Sequence, residues 1–415
     1  MELLFALLIL LILTRAFGEM AHRLGQPALL GELVAGVALG VTVKFFDGVS
    51  PFIADLPNDR VFLALTDLGI FFLMLYGGVE LRASKLAEVS GNSFFVAACG
   101  LFLPAAVGLG VAWAWLPESP LKLAQALFVG VALAITAVPV SIRLLMDLGQ
   151  LNSKAGQTIV AAAIIDDVLS LVLLAVLVGM MAEGGSVSAA IVLRLTGSIV
   201  AFFVIAYFVG HVVVPHVGRF VRSLRTAEFE FSSLLLAALG FAVLAELLNL
   251  HFVLGAFVAG LLFERRSAGY AVYEEVKKRL SAVTLGFLAP IFFASIGLHL
   301  DLSAAREIPL FLSLLIVVAF VTKLLGAGIP AWLSGLSPRD ATAVGVGMSA
   351  RGAVELIVAD IALRAGLFAH PDPPPPIVAH LFSAIVIVAL VTTLVTPIAL
   401  RRVFSGAGSG SRPIG

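Results

Sequence analysis

Charge is what this sequence has least of. Asp, Glu, Lys and Arg make up 13% of its 415 residues, about half the share of a soluble domain. Apolar residues make up 60%, and the mean hydropathy is +1.11. That balance excludes a soluble globular chain and leaves an all-α, polytopic membrane protein. No sign of charge is in excess either, with 26 basic and 26 acidic residues. There is no basic stripe of the kind a nucleic-acid partner requires, so the partner is lipid. Cysteine is all but missing: Cys99 stands alone in an apolar run, which excludes an intrachain disulfide, a cysteine zinc site and a paired-thiol redox motif. A Gly-rich phosphate loop is lacking, so nothing supports ATP-driven pumping. His251, His299 and His380 have no partner at metal-ligand spacing, no cofactor is indicated, and no pattern supports an enzyme.

What is present is a series of apolar runs. Crossing about 30 Å of hydrocarbon takes about 20 helical residues, and breaks at Pro, Gly and charge clusters divide the chain into thirteen candidate spans. They cover 2–22, 27–43, 61–81, 94–116, 121–146, 155–182, 188–214, 229–249, 251–264, 281–298, 308–335, 340–366 and 376–402. The first run lacks a small-residue cleavage pattern and reads as a retained helix. The segment from Arg265 to Leu280 reads as a basic amphipathic helix lying on the cytoplasmic face. Ser405 to Gly415, rich in Gly and Ser, reads as a disordered tail. Eighteen Lys and Arg residues follow odd-numbered spans. Six lie on the other side: Lys44, Arg60, Lys122, Arg194, Arg306 and Arg364. Because cytoplasmic loops hold the basic excess, this places the N-terminus outside and the C-terminus inside.

The most informative residues are those a bilayer should reject. Asp166-Asp167 lies inside Thr158–Leu171, a largely apolar run. Each acid at mid-depth costs at least about 2.5 kcal/mol, and intramembrane acids are functional by default. A structural ion pair between helices would need only one of them. Successive helical residues diverge by about 100°, so one carboxylate can face a cavity while the other turns to a neighbouring helix. Lys323, about halfway along the eleventh span, is the natural counter-charge. An adjacent acid and a nearby ammonium push a carboxylate in opposite directions, so one aspartate can pair with Lys323 while the other titrates.

Two further spans carry helix-breaking polar patches. The fifth reads Thr136-Ala137-Val138-Pro139-Val140-Ser141-Ile142-Arg143, and the twelfth reads Gly345-Val346-Gly347-Met348-Ser349-Ala350-Arg351-Gly352-Ala353-Val354-Glu355. Pro139 frees a carbonyl, and the glycines let the chain leave helical geometry. Broken helices in corresponding positions of two inverted halves point to a transport site at the midplane. Spans four to six start inside and spans eleven to thirteen start outside, which gives that inversion. Arg351 and Glu355, four apart, can pair along one face in a structural role. Glu32, Asp67, Glu80 and Glu246 lie in or near spans at interfacial depth, and most read as satisfied at headgroup level.

The chain resembles the monovalent cation/proton antiporter superfamily, and within it the bacterial sodium/proton antiporters of the second branch. The resemblance rests on Leu24-Gly25-Gln26-Pro27-Ala28-Leu29-Leu30-Gly31-Glu32-Leu33-Val34-Ala35-Gly36, on Gly77-Gly78-Val79-Glu80-Leu81, on Gly255-Ala256-Phe257-Val258-Ala259-Gly260, and on Pro290-Ile291-Phe292-Phe293-Ala294-Ser295-Ile296-Gly297-Leu298. It extends over residues 10–402 and includes the aspartate pair and the lysine.

The resemblance implies scaffold and dimerisation helices at 1–93 and 183–303, an ion-transporting core at 94–182 and 304–402, and a cytoplasmic tail at 403–415. It further implies a homodimer in the bacterial inner membrane that exchanges Na⁺ or Li⁺ for H⁺, with the cations as substrates. Asp167 would carry the ion and Asp166 would hold Lys323. Thr136 joins them as a candidate ion-binding residue, with Pro139, Ser141, Ser349, Arg351 and Glu355 supporting the crossing. Electroneutral relatives commonly have Asn in place of the first aspartate, and the potassium-efflux relatives have Gln-Asp, so Asp-Asp points to the electrogenic type. The alternatives are K⁺/H⁺ exchange on the same fold, or a cation channel. An organic-anion symporter would be expected to bring cationic substrate contacts.

Overall fold

The computed structural model describes residues 2–45, 56–81, 91–136, 150–182, 189–213, 228–263 and 269–405, together with Ser141, Leu145, Met146 and Leu148. Pro139, Arg143 and the tail beyond Ser405 lie outside the described residues.

In chain order the helices are α1 (Glu2–Arg23), α2 (Ala28–Phe45), α3 (Arg60–Leu81), α4 (Gly91–Trp115), α5 (Lys122–Ala134), α6 (Lys154–Ala182) and α7 (Ala189–Phe208). Then follow α8 (Glu228–Leu247), α9 (Phe252–Leu262), α10 (Tyr270–His299), α11 (Pro309–Leu333), α12 (Pro338–Gly347), α13 (Ala353–Arg364) and α14 (Leu381–Ser405). Among the described residues there is no strand. Eight of the helices, α1, α3, α4, α6, α8, α10, α11 and α14, are long and apolar enough to cross a membrane. A further four, α2, α5, α7 and α9, are shorter apolar helices.

The stops follow local chemistry. At the end of α1, Gly25 takes φ 71° and the Gln26 N–H donates to Ala21 O at 2.9 Å. This is a left-handed C-cap that satisfies a carbonyl the helix leaves over, and Pro27 follows it. Asn249, with φ 57°, does the same between α8 and α9, where the Leu250 N–H donates to Ala245 O at 2.8 Å.

The chain divides into two compact units. Met1–Ala87 with Val178–Leu300 forms one, and Glu88–Leu177 with Asp301–Gly415 forms the other. In the first, helices meet through glycine. A Cβ on Gly36 of α2 would lie 2.2 Å from Ala294 O of α10, and one on Gly297 of α10 would lie 2.3 Å from Leu33 O of α2. Gly78 of α3 and Gly260 of α9 make an equally close reciprocal pair, at 2.1 Å from Phe257 O and 2.3 Å from Leu75 O. Since lipid is as apolar as leucine, helix association in a bilayer relies on such close backbone approach.

One expectation needs correction. From Tyr270 on, the segment read as a separate surface helix is the first part of α10. Tyr273, Val276 and Leu280 form a buried stripe at helical spacing, and the Tyr273 hydroxyl donates to Val79 O of α3 at 2.7 Å. No Pro or Gly stands between Tyr270 and Val283 to stop the helix. Only a π-helical turn at Thr284–Leu288 shifts its register, and Arg15 of α1 donates there to the carbonyls of Leu285 and Gly286. Glu32 of α2 is 5% exposed and lies 3.8 Å from the Arg15 guanidinium.

The second unit is built on α4, which packs against α5 and α11. Small residues again set the distance: a Cβ on Gly326 of α11 would fall 2.8 Å from Cys99 O, and one on Gly130 of α5 would fall 2.5 Å from Ala105 O. The unit also holds the breaks anticipated from the sequence. Helix α5 stops at Ala134, with Ile135 extended at φ −66°, ψ 142°. In the twelfth span, α12 ends at Gly347 and α13 begins at Ala353.

Candidate functional site

Helix α6 carries Asp166 and Asp167 on adjacent faces, and α11 carries Lys323 to the first of them. Asp166 and Lys323 are fully buried, with Nζ 3.5 Å from each carboxylate oxygen. Charge-assisted hydrogen bonds usually close to about 2.7–2.9 Å, so this contact is a loose ion pair. Thr136, just beyond α5, lies close to the same carboxylate. Its hydroxyl also lies 3.1 Å from Met348 O. A hydroxyl has one proton to donate, so Thr136 serves Asp166 or Met348 but not both.

Asp167 is 8% exposed, and its Oδ1 has no hydrogen-bond partner among the described residues. A buried carboxylate without a partner needs a proton or a cation to neutralise it. The site thus contains one carboxylate with an ammonium and one without. Which aspartate would turn to the lysine could not be derived from the dipeptide alone.

Around this pair the two broken helices satisfy each other's ends. A helix leaves its last four carbonyls without internal donors. Arg351, in the gap between α12 and α13, donates to Ala132 O, Leu133 O and Ile135 O at the end of α5. In return Ser141 Oγ donates to Gly347 O at 2.7 Å, and Thr136 reaches Met348 O, at the end of α12. Thr393 of α14 fixes the gap itself. It donates to Arg351 O at 2.8 Å and accepts from the Arg351 N–H at 3.3 Å. Ser349 turns back on its own helix, donating to Gly345 O at 2.8 Å.

Arg351 and Glu355 do approach, at 3.6 Å between Nη1 and Oε1, yet the hydrogen bonds of Arg351 go to α5. Neither Glu355 oxygen accepts a hydrogen bond among the described residues. Asp166, Asp167, Lys323, Thr136, Ser141, Ser349, Arg351 and Glu355 all belong to the second unit; Pro139 lies outside the described residues.

Sequence reasoning passed over two features of this unit. Asp360, 1% exposed, pairs with Arg364 at 2.7 Å; its i, i+4 spacing was a signal available to find it. Ser170, one turn beyond the aspartates on α6, is fully buried, and its Oγ has no hydrogen-bond partner among the described residues. Among the described residues no cluster of His, Cys, Asp and Glu could hold a metal ion as a resident group.

Residues 6–406 match the sequence model of the family described as sodium/hydrogen exchanger, transmembrane. The chain is 30% identical over 403 residues to the Na⁺/H⁺-K⁺ antiporter GerN of Bacillus cereus, covering 97% of this chain and 96% of that one. It is likewise 30% identical over 407 residues to a Na⁺/H⁺ antiporter of Enterococcus hirae, with 97% and 98% covered. In fold it is similar to the sodium proton antiporter MjNhaP1 from Methanocaldococcus jannaschii, with a TM-score of 0.69, 18% identity and 98% of each chain covered.

Proposed function

The chain belongs to the sodium/hydrogen exchanger family, and on that premise we propose that it exchanges Na⁺ or Li⁺ for H⁺ electrogenically, by alternating access around Asp166 and Asp167. The observation that carries this reading is the contrast within the pair. Asp166 has the Lys323 ammonium to neutralise it, whereas Asp167 is buried with an oxygen that has no hydrogen-bond partner among the described residues.

In this cycle Asp167 alternates between a dehydrated cation and a proton. Asp166 holds Lys323, and the lysine supplies a second movable charge. The first unit supplies the scaffold and the surface for a homodimer. The basic residues set the N-terminus outside and the C-terminus in the cytoplasm of a bacterial inner membrane. K⁺ in place of Na⁺ is the second reading. It is favoured by the name of the Bacillus cereus relative, which includes K⁺.

The test is reconstitution in liposomes loaded with a pH dye, with Na⁺, Li⁺, K⁺ or Rb⁺ added in turn. Wild-type protein releases protons in response to its substrate cations, and Asp167→Asn does not, because an amide neither titrates nor supplies the charge a dehydrated cation needs. Cation flux without proton movement would identify a channel. Near-normal exchange in Asp167→Asn would sink the assignment.

A further inference from the structure

One buried hydroxyl in the second unit behaves differently from its neighbours. Mid-helix Ser and Thr usually return their proton to the carbonyl one turn back, and Thr158, Thr322, Thr392 and Thr396 all do so here, at 2.6 to 2.9 Å. Ser170 does not. It is 0% exposed, and its Oγ has no hydrogen-bond partner among the described residues. Leaving a hydroxyl buried and unpaired is costly, and α6 offers Ser170 a carbonyl acceptor one turn back, like those to which the other four donate.

The helical geometry says where this oxygen lies. With about 100° per residue, if Asp166 is set at zero then Asp167 is at about 100° and Ser170 at about 40°. Ser170 therefore stands between the two carboxylates in azimuth, one turn further along. Cα–Cβ bonds in a helix tilt toward the N-terminus, so the Ser170 side chain leans back over the turn that carries the aspartates. Ala163, four residues before Asp167, leans away from it and brings no oxygen. Asp167 Oδ1 and Ser170 Oγ are thus unpartnered oxygens on adjoining turns of one helix, three residues apart and on the same face.

Because neither has a partner, the two do not hydrogen-bond to each other. A cation can span what a hydrogen bond does not. Na⁺ has nearly the radius of Ca²⁺, which takes oxygen ligands at about 2.3–2.6 Å, so one ion bridges oxygens up to about 5 Å apart.

We propose that Ser170 Oγ is a ligand for the transported cation, completing with Asp167 Oδ1 a two-oxygen grip on one face of α6. This rests on the reading that Asp167 carries the cation. The hydroxyl supplies a neutral oxygen through its lone pairs and leaves the charge balance of the exchange to Asp167. Its contribution is to affinity and to preference among cations, so it acts on the concentration dependence of exchange more than on the maximal rate.

The test measures Na⁺- and Li⁺-dependent proton release in liposomes for wild type, Ser170→Ala, Ser170→Cys and Asp167→Asn. Alanine removes the ligand atom. Cysteine keeps a side chain of similar size but offers soft sulfur, a poor ligand for hard cations, and it carries the test if the alanine variant fails to fold. Both serine variants are expected to raise the half-saturating Na⁺ concentration about tenfold or more, the loss of one interaction with a charged group, with maximal rates within about twofold of wild type. Unchanged half-saturation in both serine variants, with Asp167→Asn inactive, would overturn the role of Ser170 and leave the function intact. A lowered maximal rate at unchanged half-saturation would also overturn it, since that marks a residue that only shapes the helix. Active Asp167→Asn would instead remove the functional reading on which this inference depends.

Discussion

Replacing Lys323 by Gln separates the charge carried by the cycle from the exchange itself. Its ammonium lies 3.5 Å from both oxygens of Asp166, and both side chains are fully buried. Removing one member of a buried ion pair typically costs about 3–5 kcal/mol, because the other charge is left uncompensated. Thr136 stays close to Asp166, and one hydrogen bond to a charged group returns about 1.5–3 kcal/mol at best. The remaining deficit is relieved if Asp166 keeps a proton throughout, since that removes the buried charge. The variant therefore folds, with a lower thermal midpoint in detergent, and carries one movable charge fewer than wild type. Asp167 is untouched and can still alternate between cation and proton. Exchange is measured in vesicles whose membrane potential is set with valinomycin and K⁺, after K⁺ has been shown not to be exchanged. The wild-type rate should depend on the potential, whereas Lys323→Gln should exchange more slowly and be indifferent to it. A wild-type rate that ignores the potential, or a variant that still follows it, refutes the assignment of the second charge to Lys323.

Asp166→Asn should be milder than Asp167→Asn, altering pH dependence or coupling while retaining exchange; if their phenotypes are reversed in the liposome assay, the two roles are exchanged. In the proposed cycle Na⁺ and H⁺ compete for Asp167 and protons occupy it as the pH falls, so apparent Na⁺ affinity should rise with pH and level off once the site is deprotonated. An affinity flat from mildly acid to strongly alkaline pH would contradict a single shared carboxylate. Gly36→Ala places a Cβ 2.2 Å from Ala294 O, and overpacking of this kind costs about 1–3 kcal/mol. It should lower the thermal midpoint in detergent, whereas Gly77→Ala, with nothing within 4 Å of the added atom, should not; equal midpoints would deny that the α2–α10 crossing depends on glycine.

How far the sequence could be read depended on the range of the interaction. Spans were legible because the bilayer sets their length and composition locally, and the stop at Gly25-Gln26-Pro27 follows from turn chemistry within a few residues. The cost of burying Asp166, Asp167 and Lys323 singled them out without any knowledge of contacts. The breaks near Thr136 and Met348 were visible in Pro139 and the glycines around Gly347. What could not be read were contacts made across the chain. Arg351 satisfies carbonyls more than 200 positions away, and its sequence neighbour at i+4, Glu355, suggested a purely local pairing. Tyr273 donates to Val79 O across 194 positions, so the amphipathic pattern after Arg265 looked like a free surface helix when its apolar stripe has a partner in α3. Ser170 is an ordinary serine in an apolar run, distinguished only by the missing back-bond.

The crossing has a consequence for the proposed cycle. An unsatisfied backbone group in hydrocarbon costs several kcal/mol, so a broken helix persists at depth only if donors reach its last carbonyls. Here part of each end is served from the other's chain segment: Arg351 serves the end of α5, and Ser141 and Thr136 serve Gly347 O and Met348 O, while Ser349 serves Gly345 O from within its own segment. Pulling the two segments apart would expose carbonyls on both, whereas moving them together would expose none. Alternating access at this site is therefore cheapest when α5, α12 and Arg351 move as one body, with Thr393 of α14 attached through the Arg351 backbone. Thr136 then links that body to the ionisable pair. When its proton points to Asp166 it supports the carboxylate, and when Asp166 has less need of it the same proton is free for Met348 O. In the proposed cycle the charge on Asp166 would thereby bear on the bonding of the crossing through a single hydroxyl.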